Sequence, residues 1–246
     1  MIAVIVIYAL LFSVQRTIAY FASDYQNLNI ALQQIFGVFL PVFVYYKIKG
    51  EKYISKSDLK AKSPVLAVLS LMSGMLMQIS GSFLNFFPVY FLENTNIPAP
   101  KGFSLPEGIG VLGYIIAVCL MPAVTEEVLF RKFTYDKFSK YGKMRAVFFT
   151  ALIFGISHLD LYSFVPLTVV GMILSCIVYE GFPLIYAMIF HFAFNISGVI
   201  LQKLTMLESV NELLNNYFVP LGALSCVFEI LFILYLRGLR RKINKW

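Results

Sequence analysis

The sequence predicts an all-α membrane protein, a bundle of about eight transmembrane helices. Of its 246 residues, 59% are hydrophobic and only 13% are charged, and the mean hydropathy is +0.79. Soluble domains carry roughly 25% charged residues, so a soluble globular protein is excluded. Long apolar segments also recur along the whole chain, and about 20 such residues suffice for a helix to cross a bilayer.

Short polar stretches separate these apolar segments, and no repeat or linker divides them. A single transmembrane domain over residues 1–246 is therefore expected. The first segment lacks the basic start and the cleavage site of a signal peptide, which predicts a retained helix. By length and apolarity the helices are Ile2 to Tyr20, Ile30 to Tyr46, Val65 to Leu92, Ile109 to Phe130, Ala146 to His158, Phe164 to Tyr179, Leu184 to Leu204 and Val219 to Leu236.

Basic residues concentrate in residues 47–62, in residues 131–145 and after Leu236. Such clusters favour the cytoplasmic side, and an eight-span path with both termini cytoplasmic places all three there. Only the nearly neutral Glu180-Gly181 turn gives no support. The loop Asn94 to Glu107 is expected to be an outer connection. These basic loops explain the net charge of +7 without a nucleic-acid partner, and the richness in Ile, Lys, Phe and Tyr indicates a bacterial plasma membrane.

Two adjacent carboxylates, Glu126 and Glu127, end the apolar run Ile109 to Val124. A carboxylate within a membrane is costly and usually marks a functional site. Glu127 and Arg131 are four residues apart, so on a helix they form an ion pair that braces it. Glu126 points about 100° away from Glu127 around the helix and is expected to face a cavity.

The two histidines of the chain, His158 and His191, both lie in apolar helices. Phe154 precedes His158 by one turn, on the same helix face, and Asn195 follows His191 by one turn. Glu126, both imidazoles and the Asn195 carboxamide thus come from three helices. In a membrane these polar groups point to a shared site.

These residue types suit peptide hydrolysis. A carboxylate and an imidazole can deprotonate water, while an imidazolium or a carboxamide can stabilise the tetrahedral oxyanion. A divalent metal such as zinc, held by Glu126, His158 and His191, would serve equally well, so the cofactor is either none or one such ion. The HExxH motif is absent, and Ser157 is a weak alternative nucleophile because it diverges from His158.

Structural interpretations stand beside the functional ones. Glu127 with Arg131 is also typical of a purely structural ion pair, and Asn195 is also typical of a polar contact between helices. The other polar residues in or near the spans are expected to be structural, with Glu229 paired to a basic neighbour. They are Arg16, Gln78, Asn85 and Glu229.

The order Glu126-Glu127-x-x-x-Arg131, Phe154-x-x-x-His158, His191-x-x-x-Asn195 resembles the CAAX protease and bacteriocin-processing (CPBP, Abi) family of intramembrane proteases. Gly171 and the stretch Tyr179 to Pro183 are also similar to that family's pattern. The resemblance covers a core of about residues 110–200. It implies an eight-helix bundle with a conical cavity and an endopeptidase acting on a peptide or membrane-anchored protein within the bilayer.

Residue by residue, the resemblance implies that Glu126 activates water, His158 holds it, and His191 with Asn195 stabilises the oxyanion. Glu127 and Arg131 match the remaining motif positions. Family members are discussed both as glutamate proteases and as metalloproteases, which leaves the metal open. A bacterial source favours a bacteriocin leader, a pheromone precursor or a membrane-anchored regulator as the substrate.

Two other functions fit the same residues. A non-catalytic protein could confer immunity to a bacteriocin, and a proton-coupled transporter could use the Glu and His side chains as a relay. For the site residues to meet, the fourth helix must continue past Arg131 towards Tyr135 or Lys137. Arg131 and Lys132 would then reach for water or the membrane interface.

Overall fold

A computed structural model describes residues 2–21, 26–93, 95, 97 and 110–243, and this part of the chain is helical without strands. All eight expected helices are present, which confirms the all-α fold class. A ninth, α8, lies in the stretch expected to be a loop. The helices are α1 (Ile2–Phe21), α2 (26–48), α3 (Pro64–Leu92), α4 (Gly110–Ser139), α5 (Lys143–Ser157), α6 (Phe164–Tyr179), α7 (Leu184–Leu204), α8 (Glu208–Asn216) and α9 (Phe218–Ile243).

Five of the described helices are long and apolar enough to cross a membrane, namely α2, α3, α4, α7 and α9. α1 and α6 are shorter apolar helices, and α5 has only 15 residues. α8 is amphipathic and buries no residue, so the apolar pattern that located the others could not reveal it. The proposed outer connection, Asn94 to Glu107, lies almost entirely outside the described residues.

α4 continues to Ser139, which confirms the expected extension past Arg131. Three π-helical turns interrupt the α-helical geometry, one in α2 over Gln33–Phe39 and two in α4 over Ile116–Leu120 and Val128–Thr134. Such turns are rare and occur often at functional sites. The two in α4 flank the pair of adjacent glutamates.

α3 is central and packs against α7, α9 and α6, while α5 and α6 form a closely packed hairpin. Two glycines permit these close approaches. A Cβ atom at Gly74 of α3 would collide with the main chain of α7 at Phe190, and one at Gly171 of α6 would lie 2.9 Å from the Cα of Ala151 in α5. Small residues at such crossings are typical of membrane helices, because their packing depends on close van der Waals contact.

One end of the bundle is tied together by polar contacts. Lys132 of α4 donates to the Asp58 carboxylate at 2.7 Å and to two main-chain carbonyls of the loop 49–63. The main-chain carbonyl of Asp58 accepts from the Ile185 amide at the start of α7. Partial burial would raise the pKa of Asp58, but hydrogen bonds from Lys132 and Ser55 outweigh it and hold that pKa below its usual range.

The Glu180 turn belongs to this same end. Its carboxylate is buried and contacts Arg240 at 3.2 Å and Arg237 at 3.5 Å, both near the end of α9. The turn that looked neutral in sequence is therefore paired with basic residues in space. We call this end, formed by residues 49–63, 140–142, 180–183 and 237–243, the basic face.

Glu229 corrects an expectation. Its buried carboxylate bonds the Ser73 hydroxyl of α3, not a basic residue, and its Oε1 has no hydrogen-bond partner among the described residues. α9 passes α3 at a level where the facing side chains are small or apolar, so sequence could not identify this partner. Its structural role, a contact between helices, agrees with the expectation.

Replacing Gly171 by Val should lower the thermal stability of the detergent-solubilised protein, because the added side chain would meet the α5 main chain at Ala151. Gly113→Val is the matched control: it adds the same group to a helical glycine with nothing within 4 Å. Thermal unfolding of both variants tests this. Equal unfolding temperatures would show that the α5–α6 crossing is looser than the packing implies.

Candidate active site

Glu126 projects from α4 towards α2 and is only 8% exposed. Its Oε1 accepts a hydrogen bond of 2.6 Å from the Gln34 carboxamide of α2. The oxygen of the same carboxamide accepts from the Thr125 hydroxyl at 2.7 Å. Glu126 Oε2 is buried and has no hydrogen-bond partner within the described part of the chain. One oxygen of the carboxylate is therefore held and the other is free for a ligand.

His158 caps the C-terminal end of α5 and is exposed there. Its Nδ1 lies 2.8 Å from the Phe154 carbonyl oxygen. Since a carbonyl only accepts, Nδ1 must carry a proton, and in the neutral ring Nε2 is then an acceptor. His158 and Glu126 line one cavity of about 160 Å³ between α1, α2, α4 and α5.

Glu127 points the other way, into a buried cluster of charges. Its Oε1 accepts from Arg131 at 3.0 Å and lies 2.7 Å from Nδ1 of His191 on α7. The expected contact between Glu127 and Arg131 is present, and the contact to His191 adds to it. Glu127 thus also orients an imidazole, a partner that spacing along α4 could not predict.

Arg131 does not reach for water, contrary to expectation: its side chain is 0% exposed. Besides Glu127, its guanidinium contacts the Gly171 carbonyl at 3.4 Å and lies 4.5 Å from the centre of the Phe154 ring. These partners compensate the charge inside the bundle. Lys132, with a side chain 22% exposed, does reach the basic face.

His191 connects the two glutamates. Its Nδ1 is bound to Glu127, which leaves Nε2 directed at Glu126, 4.0 Å from Oε2. Phe154 lies beside both imidazoles, with ring-centre distances of 4.9 Å to His158 and 5.9 Å to His191. The three motifs therefore converge around one aromatic ring, with Glu126 between the two histidines.

Asn195 lies one turn beyond His191, but its amide nitrogen donates to the Val118 carbonyl of α4 at 3.1 Å. Val118 belongs to the first π-helical turn of α4. This bond ties α7 to α4, and Asn195 does not line the cavity that contains Glu126 and His158. One N–H of the carboxamide stays available, because a primary amide has two.

Three glutamines that sequence reasoning passed over line the cavity: Gln15 of α1 and Gln33 and Gln34 of α2. Gln15 contacts the Ser157 carbonyl at 3.5 Å, and its Oε1 is a buried acceptor without a partner among the described residues. The available signal was polar residues within apolar segments of the N-terminal part. Ser157 also lines the cavity, but its hydroxyl is bonded to the Phe154 carbonyl.

The candidate metal ligands Glu126, His158 and His191 do not form a ligand set as arranged. His191 Nε2 lies 4.0 Å from Glu126 Oε2, which is wider than the roughly 3.3 Å between neighbouring ligands of a tetrahedral zinc with bonds of about 2 Å. Within the described ranges, no group of three His, Cys, Asp or Glu side chains could hold a metal ion.

Comparison with known families supports the same region. Residues 108–197 match the family model described as Rce1-like, type II CAAX prenyl endopeptidase. The match supports assignment to the CAAX protease family, and it contains all seven motif residues from Glu126 to Asn195. It also supports peptide hydrolysis within a membrane as the general activity. No curated protein and no solved structure matches the chain.

The family match begins just before α4 and ends within α7, so α1, α2 and α3 lie outside it. Yet α1 and α2 supply more than half of the residues that line the cavity around Glu126. The cavity is thus completed by helices that the family pattern does not describe.

Glu127→Gln should destabilise the protein strongly, because it leaves the buried Arg131 charge uncompensated, a loss of about 3–5 kcal/mol in comparable pairs. Arg131→Met in the same chain should recover part of that stability, since both charges are then removed. Thermal unfolding of the two single variants and the double variant forms the cycle. Strict additivity of the two losses would contradict a direct Glu127–Arg131 interaction.

Proposed function

We propose that this CAAX protease is an intramembrane endopeptidase of the glutamate type, which cleaves a membrane-associated peptide with water activated by Glu126 and His158. One observation carries the proposal: Glu126, whose Oε2 has no partner among the described residues, lines the same small cavity as His158 inside an apolar bundle. Buried polar groups are normally satisfied, so an unpaired one marks a place for a ligand.

A water molecule in this cavity would donate one hydrogen to Glu126 Oε2 and the other to His158 Nε2. Its lone pairs would then be free to attack the carbonyl carbon of a peptide bond. Glu126 takes the proton as the bond to oxygen forms and returns it to the leaving amine. This route uses only groups of the chain: Glu126 acts as an ionised carboxylate and His158 as a neutral ring that accepts at Nε2.

The developing oxyanion requires donors, and we assign them to His191 and Asn195. His191 Nε2 lies 4.0 Å from Glu126 Oε2, so a protonated ring would be able to donate to the substrate carbonyl oxygen, which becomes the oxyanion when water attacks the carbonyl carbon. With that proton, Glu126, Glu127, Arg131 and His191 carry no net charge together. Asn195 would contribute its second N–H from the next turn of α7.

The substrate class follows from the location and the family. The site lies within the bilayer, so the scissile bond must belong to a peptide at or in the membrane. The family's name indicates prenylated CAAX peptides, while a bacterial plasma membrane with both termini cytoplasmic favours leader or pheromone precursors. Glu126, His158 and His191 would have to move closer together to hold a metal ion, so the metal-assisted route is the alternative to be tested.

Glu126→Gln should abolish cleavage, by about 10²-fold or more, because the amide cannot accept the proton from water. The assay uses purified enzyme with two internally quenched probes, a farnesylated CAAX peptide and an unlipidated leader-type peptide. His158→Ala should lose activity similarly. Both variants should unfold at or near the wild-type temperature.

Glu208→Gln is the matched control, since it makes the same change on the exposed helix α8. It should retain full activity. Full activity of Glu126→Gln would contradict the proposed role of Glu126 as the base that activates water. Loss of activity after chelation, restored by zinc, would replace the metal-independent route by the metal-assisted one. Cleavage of one probe only would identify the substrate class, and cleavage of neither would favour a non-catalytic function.

A further inference from the structure

We infer that Gln34 is a positioning residue for Glu126, which makes α2 part of the catalytic apparatus. The inference rests on the proposed role of Glu126 and goes beyond the seven motif residues. Gln34 lies far outside the segment that matches the family, and it is 9% exposed within the π-helical turn of α2.

The orientation of the Gln34 carboxamide is determined by its two partners. Thr125 donates its hydroxyl proton to the carboxamide oxygen or to the Met121 carbonyl, at 2.7 Å and 2.8 Å. Glu126 Oε1, as a carboxylate oxygen, only accepts, so the carboxamide must present its N–H to it. The reverse orientation would put the amide oxygen against the carboxylate.

This arrangement has a chemical consequence for the base. A hydrogen bond to one oxygen fixes the rotation of the carboxylate and leaves Oε2 as the single acceptor for water. Without Gln34 the carboxylate could rotate, and either oxygen could turn away from the cavity. Preorganisation of this kind lowers the barrier to reaction and not the affinity for substrate.

Gln34→Leu should lower kcat about 10- to 100-fold with little change in KM, as is usual when an outer hydrogen-bond partner is removed. Thr125→Val should have a smaller effect, and little further effect in the Gln34→Leu background. Gln78→Leu, a half-buried glutamine of α3 beside Gly198, is the matched control and should keep wild-type kcat. A kcat within twofold of wild type for Gln34→Leu would overturn the inference.

Gln34→Glu separates positioning from general packing. Two adjacent carboxyl groups cannot both ionise easily, so the ascending limb of the pH–rate profile should move to higher pH. The other charged or titratable groups around Glu126, which stay unchanged, are Tyr8, Glu127, Arg131, His158 and His191. An unshifted profile would overturn the inference.

A readout without catalysis distinguishes failure of this inference from failure of the proposed function. A membrane-soluble carbodiimide reacts with protonated carboxyl groups, and peptide mass measures its addition to Glu126. Modification should be faster in Gln34→Leu than in wild type, because the carboxylate loses the donor that stabilises its charge. An equal rate would contradict the contact whether or not either probe is cleaved.

The cavity lies towards the end of the bundle opposite the basic face. α5 has 15 residues and starts at the basic face, so it rises only about 22 Å at about 1.5 Å per residue. The hydrocarbon core is roughly 30 Å thick. His158 therefore lies at a helix end that stops short of the opposite boundary, and Glu126 lies at the same height on α4, about 20 Å before Ser139.

The loop at this end is polar. Asp160 accepts hydrogen bonds from the Tyr162 amide and the Ser163 hydroxyl, and His158 is exposed beside it. Polar main-chain and side-chain groups at this depth require water nearby, because hydrocarbon cannot satisfy them. Water thus reaches the site from the end opposite the basic face.

We propose that water reaches this site from the extracytoplasmic side, since basic loops favour the cytoplasm. The relevance of this access route to catalysis rests on the proposed protease function, but the test of the route does not require activity.

The test uses single cysteines after replacement of Cys119, Cys176 and Cys226 by Ala. Leu161→Cys lies at the loop beside His158 and Lys56→Cys lies at the basic face, and both positions are exposed. A membrane-impermeant maleimide should label Leu161→Cys, but not Lys56→Cys, on intact cells of a bacterial host. Permeabilised cells should show both labels.

The reverse pattern on intact cells would overturn the proposal. So would a Leu161→Cys that stays unlabelled even in permeabilised cells, because the loop would then not be in contact with water. The Glu126→Gln chain should give the same labelling, so a negative cleavage assay leaves this result interpretable.

Discussion

The buried contact among Glu127, Arg131 and His191 is the constraint on which the site depends. Inside an apolar bundle an unpaired charge is very unfavourable, so these groups must meet with good geometry. Their contacts join α4 to α7, and through the Gly171 carbonyl to α6. The glycines that let α5 approach α6 therefore serve the same charge cluster as well as the packing.

Two adjacent glutamates acquire different roles from their surroundings. Oε1 of Glu127 binds a guanidinium and an imidazole, whereas Oε1 of Glu126 accepts from a neutral amide at the wall of a cavity, and Oε2 of each carboxylate has no partner among the described residues. Phe154 separates the two environments, with its ring near Arg131 and both histidines. This asymmetry is what the proposed reaction requires: a rigid support on one side and an available base on the other.

Much of the fold could be predicted, because the length and apolarity of a segment identify a membrane helix in the sequence. The extension of α4 also followed from the need to bring Glu126 to the height of His158. α8 was not predicted because it is amphipathic and exposed. The π-helical turns were not predicted because no periodicity of apolar residues marks them. The burial of Arg131 was not expected, since the Gly171 carbonyl and the Phe154 ring that it contacts belong to other helices.

The sequence alone determined the bundle of membrane helices, the seven motif residues and the pairing of Glu127 with Arg131. Each of these depends on composition or on spacing within one helix, which local geometry decides. Tertiary structure decided that Glu127 holds His191, that Asn195 bonds to α4, and that Gln34 of α2 meets Glu126. Such contacts depend on which helices become neighbours. A bilayer accommodates every apolar helix without specifying its partners.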